Sequence, residues 1–322
     1  MLQIKEYEDL DDCRQLWQEL WPQKCLFDLW EVRYAFHKHY NNRPCFLVSE
    51  NNGKPNGMLA LSWLKKEQYF SHFPGETWQG KTWLEQNRIL AKDNDIFTKM
   101  LAAAPGRVHL RYLTKSSFPE KRFTALVDET GYMFHPPTLD YSFPKYRELI
   151  PNKSRKKIDK ELSRFDEIGV SFRHNKTADI ALLFKLNLDA FGESSYFADS
   201  RFMLSFEELI SFLSRNKMLR ITTVLIGGKV AAIDLGAVWN KQYTVLAGGT
   251  SPEFPGVAKM INFHHLEWAC RSHQQSVDFL CGDFGWKERF RLTPRPLFEL
   301  RVNNPAKCSN NLTHRHRKVA IQ

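Results

Sequence analysis

The sequence has no long apolar run and no cysteine motif typical of metal sites or disulfide frameworks. Its 6 cysteines include no C-x-x-C pair and follow no regular spacing, which favours reduced, buried thiols. No stretch approaches the roughly 18 apolar residues of a membrane span. Residues 1–20 are charged throughout and lack the apolar core of a signal peptide. We therefore expect a cytoplasmic protein without a transmembrane helix or a metal centre.

Protein-kinase chemistry is also excluded by missing motifs. Residues 283–285 read Asp-Phe-Gly, as in the magnesium-binding motif of kinases. The glycine-rich loop, the Val-Ala-x-Lys strand and the His-Arg-Asp loop that kinases need beside it are not present.

The composition is that of a folded protein with more than one core. Hydrophobic residues make up 43% and charged residues 25% of the 322 residues. Because this length exceeds the usual size of a single core, two domains are expected. The 46 basic residues outnumber the 36 acidic ones and give a net charge of +10. This charge suits an anionic partner such as a nucleotide-containing cofactor or tRNA, and equally a charge excess that only aids solubility.

The same order of elements is predicted twice along the chain. After helices near 10–20 and 30–40, the first half has predicted strands at 45–49, 58–63 and 68–73, a helix at 96–104 and a strand at 108–113. The second half has predicted strands at 219–226, 230–239 and 242–247, a helix at 256–273 and a strand at 277–281. A Gly-Lys turn joins the first two of these strands in each half. We interpret this order as a degenerate internal duplication; the alternative is two unrelated hairpins in a long α/β protein.

A proline-rich connector at 134–144 resists helix formation and separates the two halves. It predicts an N-terminal half at 1–145 and a C-terminal half at 146–302. A basic tail is expected at 303–322.

A basic amphipathic helix is predicted after the connector, at 152–169. An apolar stripe defines its buried face, Asn152 or Ser154 would cap its start, and Gly169 would end it. Its first turns are rich in lysine, although cations are disfavoured at the positive end of the helix dipole. Lys156 and Lys157 are therefore candidate ligands for a phosphate group of donor or acceptor. The alternative is a solvated basic face.

The segment 243–260 carries the main candidate for a cofactor site. A strand runs into a Gly/Pro loop that opens directly into a helix, so unpaired backbone N–H groups and the helix dipole converge on one spot. This arrangement is typical of a pyrophosphate cradle. The candidate cofactor-binding residues are Ala247, Gly248, Thr250, Gly256, Val257, Ala258 and Lys259.

This order of strands, loop and helix resembles the acyl-CoA-binding half of the GNAT superfamily, whose loop reads Gln/Arg-x-x-Gly-x-Gly/Ala. Gly256 and Ala258 match that loop, whereas Glu253 stands at its Gln/Arg position. A closer resemblance is to FemAB-like proteins, including acetyltransferases associated with cellulose and exopolysaccharide synthesis and proteins of peptidoglycan biosynthesis. The basic helix at 152–160, the hairpin at 226–232 and the closing segment at 278–290 carry it, and it covers residues 145–300.

The resemblance implies an α/β (α+β) fold of two tandem GNAT units, with mixed central sheets flanked by helices. It also implies an activated donor, which is aminoacyl-tRNA in some FemAB-like branches and acyl-CoA in others. We expect acyl-CoA, such as acetyl-CoA, because the sequence shows no long inserted helical arm of the kind that many tRNA-using members carry.

N-acyl transfer needs a deprotonated amine, a positioned acyl carbonyl and stabilisation of the oxyanion. In the resemblance the closing lysine, here Lys287, contacts the reacting centre, which makes it the candidate for oxyanion stabilisation; the alternative is a surface lysine. Asp283 and Asp234 are candidate bases or amine-orienting groups, and strand alternation leaves Asp234 either on a pocket wall or in solvent. The candidate substrate-binding residues are Glu193, Tyr196, Trp286, Lys156 and Lys157.

Three functions remain open at this point. The first is transfer of an acyl group from acyl-CoA to an amine, such as an amino sugar or a cell-surface polymer precursor. The second is an aminoacyl-tRNA-dependent transferase, and the third is a non-catalytic module that binds a glycan or a protein partner. His264 and His265, on a helix that is apolar almost all round, are expected in the core or in a hydrogen bond rather than at a metal.

Overall fold

The structure, a computed structural model, describes residues 2–118, 126–282 and 285–304. In this part of the chain 13 strands form one mixed sheet with helices packed on it. The strands are β1 (Leu2–Tyr7), β2 (Arg43–Asn51), β3 (Lys54–Leu64), β4 (Tyr69–His72), β5 (Leu90–Ala91), β6 (Val108–Leu113), β7 (Leu126–Phe134), β8 (Val170–His174), β9 (Leu219–Ile226), β10 (Lys229–Trp239), β11 (Gln242–Thr250), β12 (Ser276–Asp278) and β13 (Thr293–Val302). The helices are α1 (Leu10–Leu20), α2 (Trp30–Tyr40), α3 (Asn94–Ala103), α4 (Phe143–Leu149), α5 (Asn152–Ile168), α6 (Asp179–Phe191), α7 (Ser200–Arg215), α8 (Val257–Arg271) and α9 (Trp286–Arg289).

The sheet contains the predicted repeat and joins its two copies. The strand order is β1-β2-β3-β4-β6-β13-β7-β12-β11-β10-β9-β8. Read from the two edges inward, each half contributes the same series of five strands. The last strand of each half is exchanged, since β13 lies beside β6 and β7 lies beside β12. The predicted fold class, a tandem α/β arrangement with a mixed sheet flanked by helices, is confirmed.

The two hairpins form where glycine allows a left-handed backbone. Gly53 has a φ of 74° and Gly228 a φ of 79°, values that side-chain-bearing residues adopt only with strain. These turns set the registers Asn51↔Lys54 and Lys229↔Ile226. Each hairpin therefore positions a long central strand, β3 or β10, beside the strand that precedes the helix of its half.

One parallel strand pair marks where the second half of the sheet opens. β11 and β12 pair from Gln242↔Ser276 to Thr244↔Asp278. β12 then ends, while β11 continues to Thr250. The crevice at the carboxyl ends of such strands is the usual ligand position in α/β sheets.

The first half differs from the second by an insertion in its fourth strand. After β4 the chain leaves the sheet and returns at Asn87, which bridges to Leu113; β5 then pairs with β3. The inserted segment reaches the second half, where the hydroxyl of Tyr196 donates to the carbonyl of Thr82 (3.0 Å). The halves also share an apolar core between α2 and α7, which includes Phe36 and Phe206.

Two expectations about local structure are wrong. α5 begins at Asn152, but Pro151 occupies the capping position and no side chain caps the helix there, so neither Asn152 nor Ser154 does so. The connector at 134–144 also contains the start of a helix, because α4 begins at Phe143 and a proline fits the first helical turn. Gly169, with a φ of 96°, follows the end of α5 as expected.

Candidate active site

The loop between β11 and α8 leaves the start of α8 open. Gly256, at a φ of 96°, precedes the helix, and no side chain caps it. The first N–H groups of a helix lack intrahelical partners and carry the positive end of its dipole. In α8 the N–H groups of Val257 and Lys259 donate to the carbonyls of Phe254 (3.1 Å) and Gly256 (3.0 Å), so the start of α8 favours an anion chiefly through the helix dipole.

The corresponding helix of the first half is closed by its own side chain. α3 follows Asp93, whose Oδ1 accepts a hydrogen bond from the N–H of Ile96 (2.9 Å). This carboxylate places a negative charge where a phosphate would otherwise bind. The equivalent helices of the two halves therefore differ: a carboxylate caps α3, and no side chain caps α8.

On β11 the predicted cofactor-binding residues are small because the packing is tight. Ala247 packs against the shared core. A Cβ on Gly248 would stand 2.3 Å from Oδ1 of Asp234, and a Cβ on Gly249 would stand 2.9 Å from Cβ of Leu186. The small residues of β11 are therefore required by packing, in addition to the cofactor binding that the sequence predicted.

The predicted residues nearer α8 surround the helix start. Thr250, Gly256 and Ala258 are exposed, whereas Val257 is buried. Glu253 forms an ion pair with Lys229 (3.1 Å), so its negative charge is balanced within the loop.

The basic helix α5 adjoins the start of α8. Lys259 of α8 forms an ion pair with Glu161 of α5. The hydrogen bond from Lys259 lowers the pKa of Glu161, and the charge of Lys157 acts in the same direction. Lys156 and Lys157 are both exposed. The charge of Lys259 is therefore balanced by Glu161, and the exposed lysines of α5 supply the remaining positive charge on this side of the helix start.

Asp234 lies beneath α8 rather than in solvent. Its side chain is buried, and its Oδ2 is 2.9 Å from Nε2 of His265, which is fully buried. Within the described residues, Nδ1 of His265 and the hydroxyl of Tyr243 have no hydrogen-bond partner, and the two rings are 5.1 Å apart. A catalytic role for Asp234 stays a prediction. The structure gives it a partner that fixes its position.

The neighbouring His264 stacks on Phe172, with ring centroids 4.0 Å apart. Burial, together with the nearby His265, lowers the pKa of His264 to about 3, so its ring is neutral at physiological pH. No group of three or more metal-ligating side chains is assembled in the part of the chain that the structure describes.

Lys287 is buried in the wall of the crevice beside β12. Its ammonium group donates to the carbonyl oxygens of Phe279 (2.9 Å), Leu280 (2.8 Å) and Cys281 (2.8 Å). Burial lowers its pKa, and the Tyr132 ring lies 5.4 Å from its nitrogen. The contacts hold the segment that follows β12, and the predicted contact with the reacting centre stays a prediction.

A buried charge network joins the two halves at the same crevice. Arg295 of β13 pairs with Asp278 (2.6 Å) and with Glu85 (3.1 Å). Glu85, on the insertion of the first half, also accepts the N–H of Cys281 (2.6 Å). Burial raises the pKa of Glu85 to about 7 against the effect of Arg295. The backbone next to the crevice is thus held by a titratable group from the other half.

Four residues form the junction cluster: Tyr196, which the sequence indicated, and Tyr112, Glu129 and Trp78, which it did not. The hydroxyl of Tyr112 donates to Oε1 of Glu129 (2.9 Å), and the rings of Trp78 and Tyr196 are 6.0 Å apart. Burial and then Glu129 raise the pKa of Tyr196. Glu129 also helps to raise the pKa of Cys281, after burial and Glu85. The junction cluster therefore lies next to the crevice of the second half.

Tyr196 thus reaches the junction of the two halves, and its place in an acceptor groove stays a prediction. Glu193 is exposed on the adjoining turn. Trp286 packs against Phe279 and Phe290, with ring centroids 5.6 Å and 5.3 Å apart. Asp283 lies outside the described residues.

Within the described residues, no helix combines the length and apolarity needed to cross a membrane. The five cysteines in this part of the chain are unpaired, and only Cys281 among them is not buried. Cys308 lies outside the described residues.

The comparisons with known proteins find a similar family for part of the second half. Residues 152–288 match the model of the acetyltransferase (GNAT) domain family. No curated protein matches the sequence.

Among solved structures, similar folds cover nearly the whole chain. A conserved protein of unknown function from Bacteroides thetaiotaomicron VPI-5482 has a TM-score of 0.58 at 12% identity, over 94% of this chain and 100% of the other. FemX has a TM-score of 0.58 at 11% identity, over 92% and 96%. A tandem GNAT protein from the clavulanic acid biosynthesis pathway has a TM-score of 0.52 at 11% identity, over 95% and 100%. Residues 152–288 are therefore similar to the GNAT acetyltransferase domain family, and the whole chain has a fold similar to that of a tandem GNAT protein.

Proposed function

We propose that the protein is an N-acyltransferase that moves an acyl group from acyl-CoA to an amine, such as that of an amino sugar or a cell-surface polymer precursor. The proposed units are residues 1–145 and 146–302. The donor binds the second unit at the start of α8, and the acceptor binds at the junction cluster between the units.

The observation that carries this proposal is the difference between the two equivalent helices. The start of α8 has a left-handed glycine and no side-chain cap, while Asp93 fills the start of α3. The open start lies inside the segment that matches the GNAT model. A pyrophosphate at α8 would gain the helix dipole and nearby lysine charge.

The crevice between β11 and β12 lies between the proposed donor and acceptor sites. Beyond Thr244 the edge of β11 that faced β12 has no strand partner in the described residues, so it is available to the amide groups of a CoA arm. Lys287 and Glu85 fix the opposite wall through the carbonyls and N–H of residues 279–281. We assign both a positioning role.

Glu129 is the group we propose to receive the proton of the acceptor amine. Its side chain is 39% exposed, which leaves it accessible to a substrate, and Tyr112 orients it. Asp234 is buried against His265 and is assigned to holding α8 on the sheet. The aromatic pair Trp78 and Tyr196 offers a surface on which a sugar ring would pack.

The donor site is tested by the substitution Ala258→Glu. Ala258 is exposed in the first turn of α8, where glutamate is compatible with the helix but would repel a pyrophosphate. We expect acetyl-CoA binding, measured by isothermal titration calorimetry, to weaken at least tenfold. Ala258→Gln, which adds the same bulk without charge, should weaken it much less.

Equal loss in both variants would contradict an electrostatic donor site at α8. Absence of saturable binding of CoA and acetyl-CoA to the wild-type protein would reject the acyl-CoA proposal. The exposed lysines of α5 would then favour charged tRNA as donor, which steep salt dependence of tRNA binding would reveal.

The proton-transfer role is tested by Glu129→Gln. Removal of a general base lowers turnover by about 100-fold or more, so kcat should fall by that factor while the KM for acyl-CoA stays unchanged. Steady-state kinetics with an amine acceptor measures both. Glu193→Gln is the matched comparison, and a loss of kcat there but not in Glu129→Gln would contradict the assignment of proton transfer to Glu129.

A further inference from the structure

A separate pocket in the first half has the chemistry of an anion site. It encloses about 410 Å³ between the loop after α1, the start of β3, β5 and the turn after β6. We call it the first-half pocket and define it by Lys24, Asn56, Arg88, Lys92 and Ser116. Its volume lies in the range of small-molecule sites.

The charge of the first-half pocket is one-sided. Lys24, Arg88 and Lys92 line it, and none of the described lining residues is a carboxylate. Lys24 and Lys92 are exposed and make no salt bridge with any described residue. Arg88 is paired with the buried Asp28, so the net positive charge of this concave surface comes from the two lysines, and that charge favours an anionic ligand.

Arg88 is held in a fixed orientation for such a ligand. Its Nε lies 3.0 Å and its Nη2 3.3 Å from the two carboxylate oxygens of Asp28, which is itself buried. Its remaining nitrogen, Nη1, reaches the hydroxyls of Thr114 and Ser116 only at 3.4 Å. Because those two contacts are long and weak, Nη1 retains capacity for a stronger, charge-assisted bond to a phosphate oxygen.

The first-half pocket also contains an unsatisfied acceptor and an apolar wall. Oδ1 of Asn56 is buried and has no hydrogen-bond partner in the described residues. Leu20, Pro22 and Leu90, which are only partly buried, contribute apolar surface. A ligand that fits therefore has an anionic group, a hydrogen-bond donor and an apolar face.

Its place in the repeat distinguishes this pocket from a second donor site. Arg88 and Lys92 lie on the returning chain that bridges to β6 at Asn87 and then pairs with β3, so the pocket occupies the first-half counterpart of the crevice between β11 and β12. The helix start there is filled by Asp93. An anion in this pocket must therefore bind side chains rather than a helix terminus.

We propose that the first-half pocket binds a phosphorylated small molecule of the nucleotide type. Its phosphates contact Lys24, Lys92 and Nη1 of Arg88, and its base or sugar donates to Oδ1 of Asn56. This site does not depend on the proposed acyl transfer and is separate from α8.

The test is calorimetric titration of the full chain with ADP, UDP and inorganic pyrophosphate. The double substitution Lys24→Gln and Lys92→Gln should weaken binding at least tenfold. Lys65→Gln with Lys66→Gln, which removes the same charge from an exposed turn of the same half, should change it less than twofold. Tighter binding of ADP or UDP than of pyrophosphate would identify the nucleotide, and equal binding would identify the phosphate alone as the recognised part.

Three outcomes would overturn the proposal: no saturable binding, equal weakening by the two double variants, or loss of binding in Ala258→Glu. The last result would place the ligand at α8. Because Ala258→Glu leaves the first-half pocket unchanged, failure of the donor site and failure of this proposal give different patterns.

Discussion

At the scale of residues, the junction between the halves combines buried charge with a titratable carboxyl group. Glu85 contacts Arg295 and the N–H of Cys281, and both its ion pair and its hydrogen bond cross from one half to the other. Burial raises its pKa from 4.5 to about 7. A carboxyl group in this range is sensitive to pH near neutrality.

The sign of that sensitivity follows from linkage. Because the folded state holds the proton of Glu85 more tightly than the unfolded state, the stability it contributes is fully present below pH 4.5 and is lost as the pH rises through about 7. Glu85→Gln resembles the protonated form. Its free energy of unfolding relative to wild type should rise by roughly 1–3 kcal/mol between pH 5 and pH 8.

Urea unfolding at both pH values measures this difference. Glu67→Gln, at an exposed turn, is the control and should show no change relative to wild type. If the free energy of unfolding changed equally with pH in Glu85→Gln and in wild type, the pKa of Glu85 would not be raised in the folded protein.

At the scale of elements, the equivalent helices α3 and α8 differ in how their N-termini are capped. α3 is capped by Asp93 and α8 is preceded by a left-handed glycine. A side-chain cap stabilises its own helix, whereas an open start leaves N–H groups for a ligand. The same element is therefore structural in one half and suited to binding in the other.

The cap on α3 makes a direct prediction. Asp93→Ala removes the hydrogen bond to the N–H of Ile96 and should lower the free energy of unfolding by about 1 kcal/mol. Asp93→Asn keeps an acceptor and should cost much less. Chemical denaturation of the three proteins measures the difference, and equal stability of all three would mean that the cap contributes nothing.

Elements with a strong local pattern were predictable from the sequence. The hairpins and α8 follow from period-two alternation, glycine turns and a helical apolar run. β13 was not predicted, because Pro294 and Pro296 resemble loop residues. The structure accommodates them since β13 pairs with β6 only from Phe298 onward, so the prolines precede the stretch that has two neighbours.

The candidate site was predictable only where its residues lie close together in the sequence. The loop before α8 is contiguous in sequence, and its glycine and small residues give a local signal. Tyr112 and Glu129 lie on β6 and β7, which are brought together around β13 by the strand exchange. No local pattern encodes that pairing. The role predicted for Lys287 at the reacting centre stays a prediction, and its buried contacts with three carbonyls could not be read from its neighbours in the chain.

At the scale of the whole molecule, β13 and its arginine hold the two halves together. Arg295 forms ion pairs with both Asp278 and Glu85. Removing one partner from a buried charge group leaves the others uncompensated, which costs about 3–5 kcal/mol. Arg295→Met should therefore lower the free energy of unfolding by roughly 3 kcal/mol or more.

Arg301→Met is the control on the same strand. Arg301 is largely exposed in its pair with Glu299, so its loss should cost less than about 1 kcal/mol. Thermal and urea unfolding distinguish the two variants. A similar small effect for both would show that the buried network does not stabilise the contact between the halves.

The exchange of β7 and β13 also sets the order in which the protein is assembled during synthesis. β6 leaves the ribosome long before β13, the strand that lies beside it in the finished sheet. Its partner edge therefore stays uncovered while the whole second half is being translated. An uncovered strand edge is a site for mispairing with other chains, and long-range pairings form slowly. Mispairing at β6 is therefore expected chiefly while the second half is still being translated.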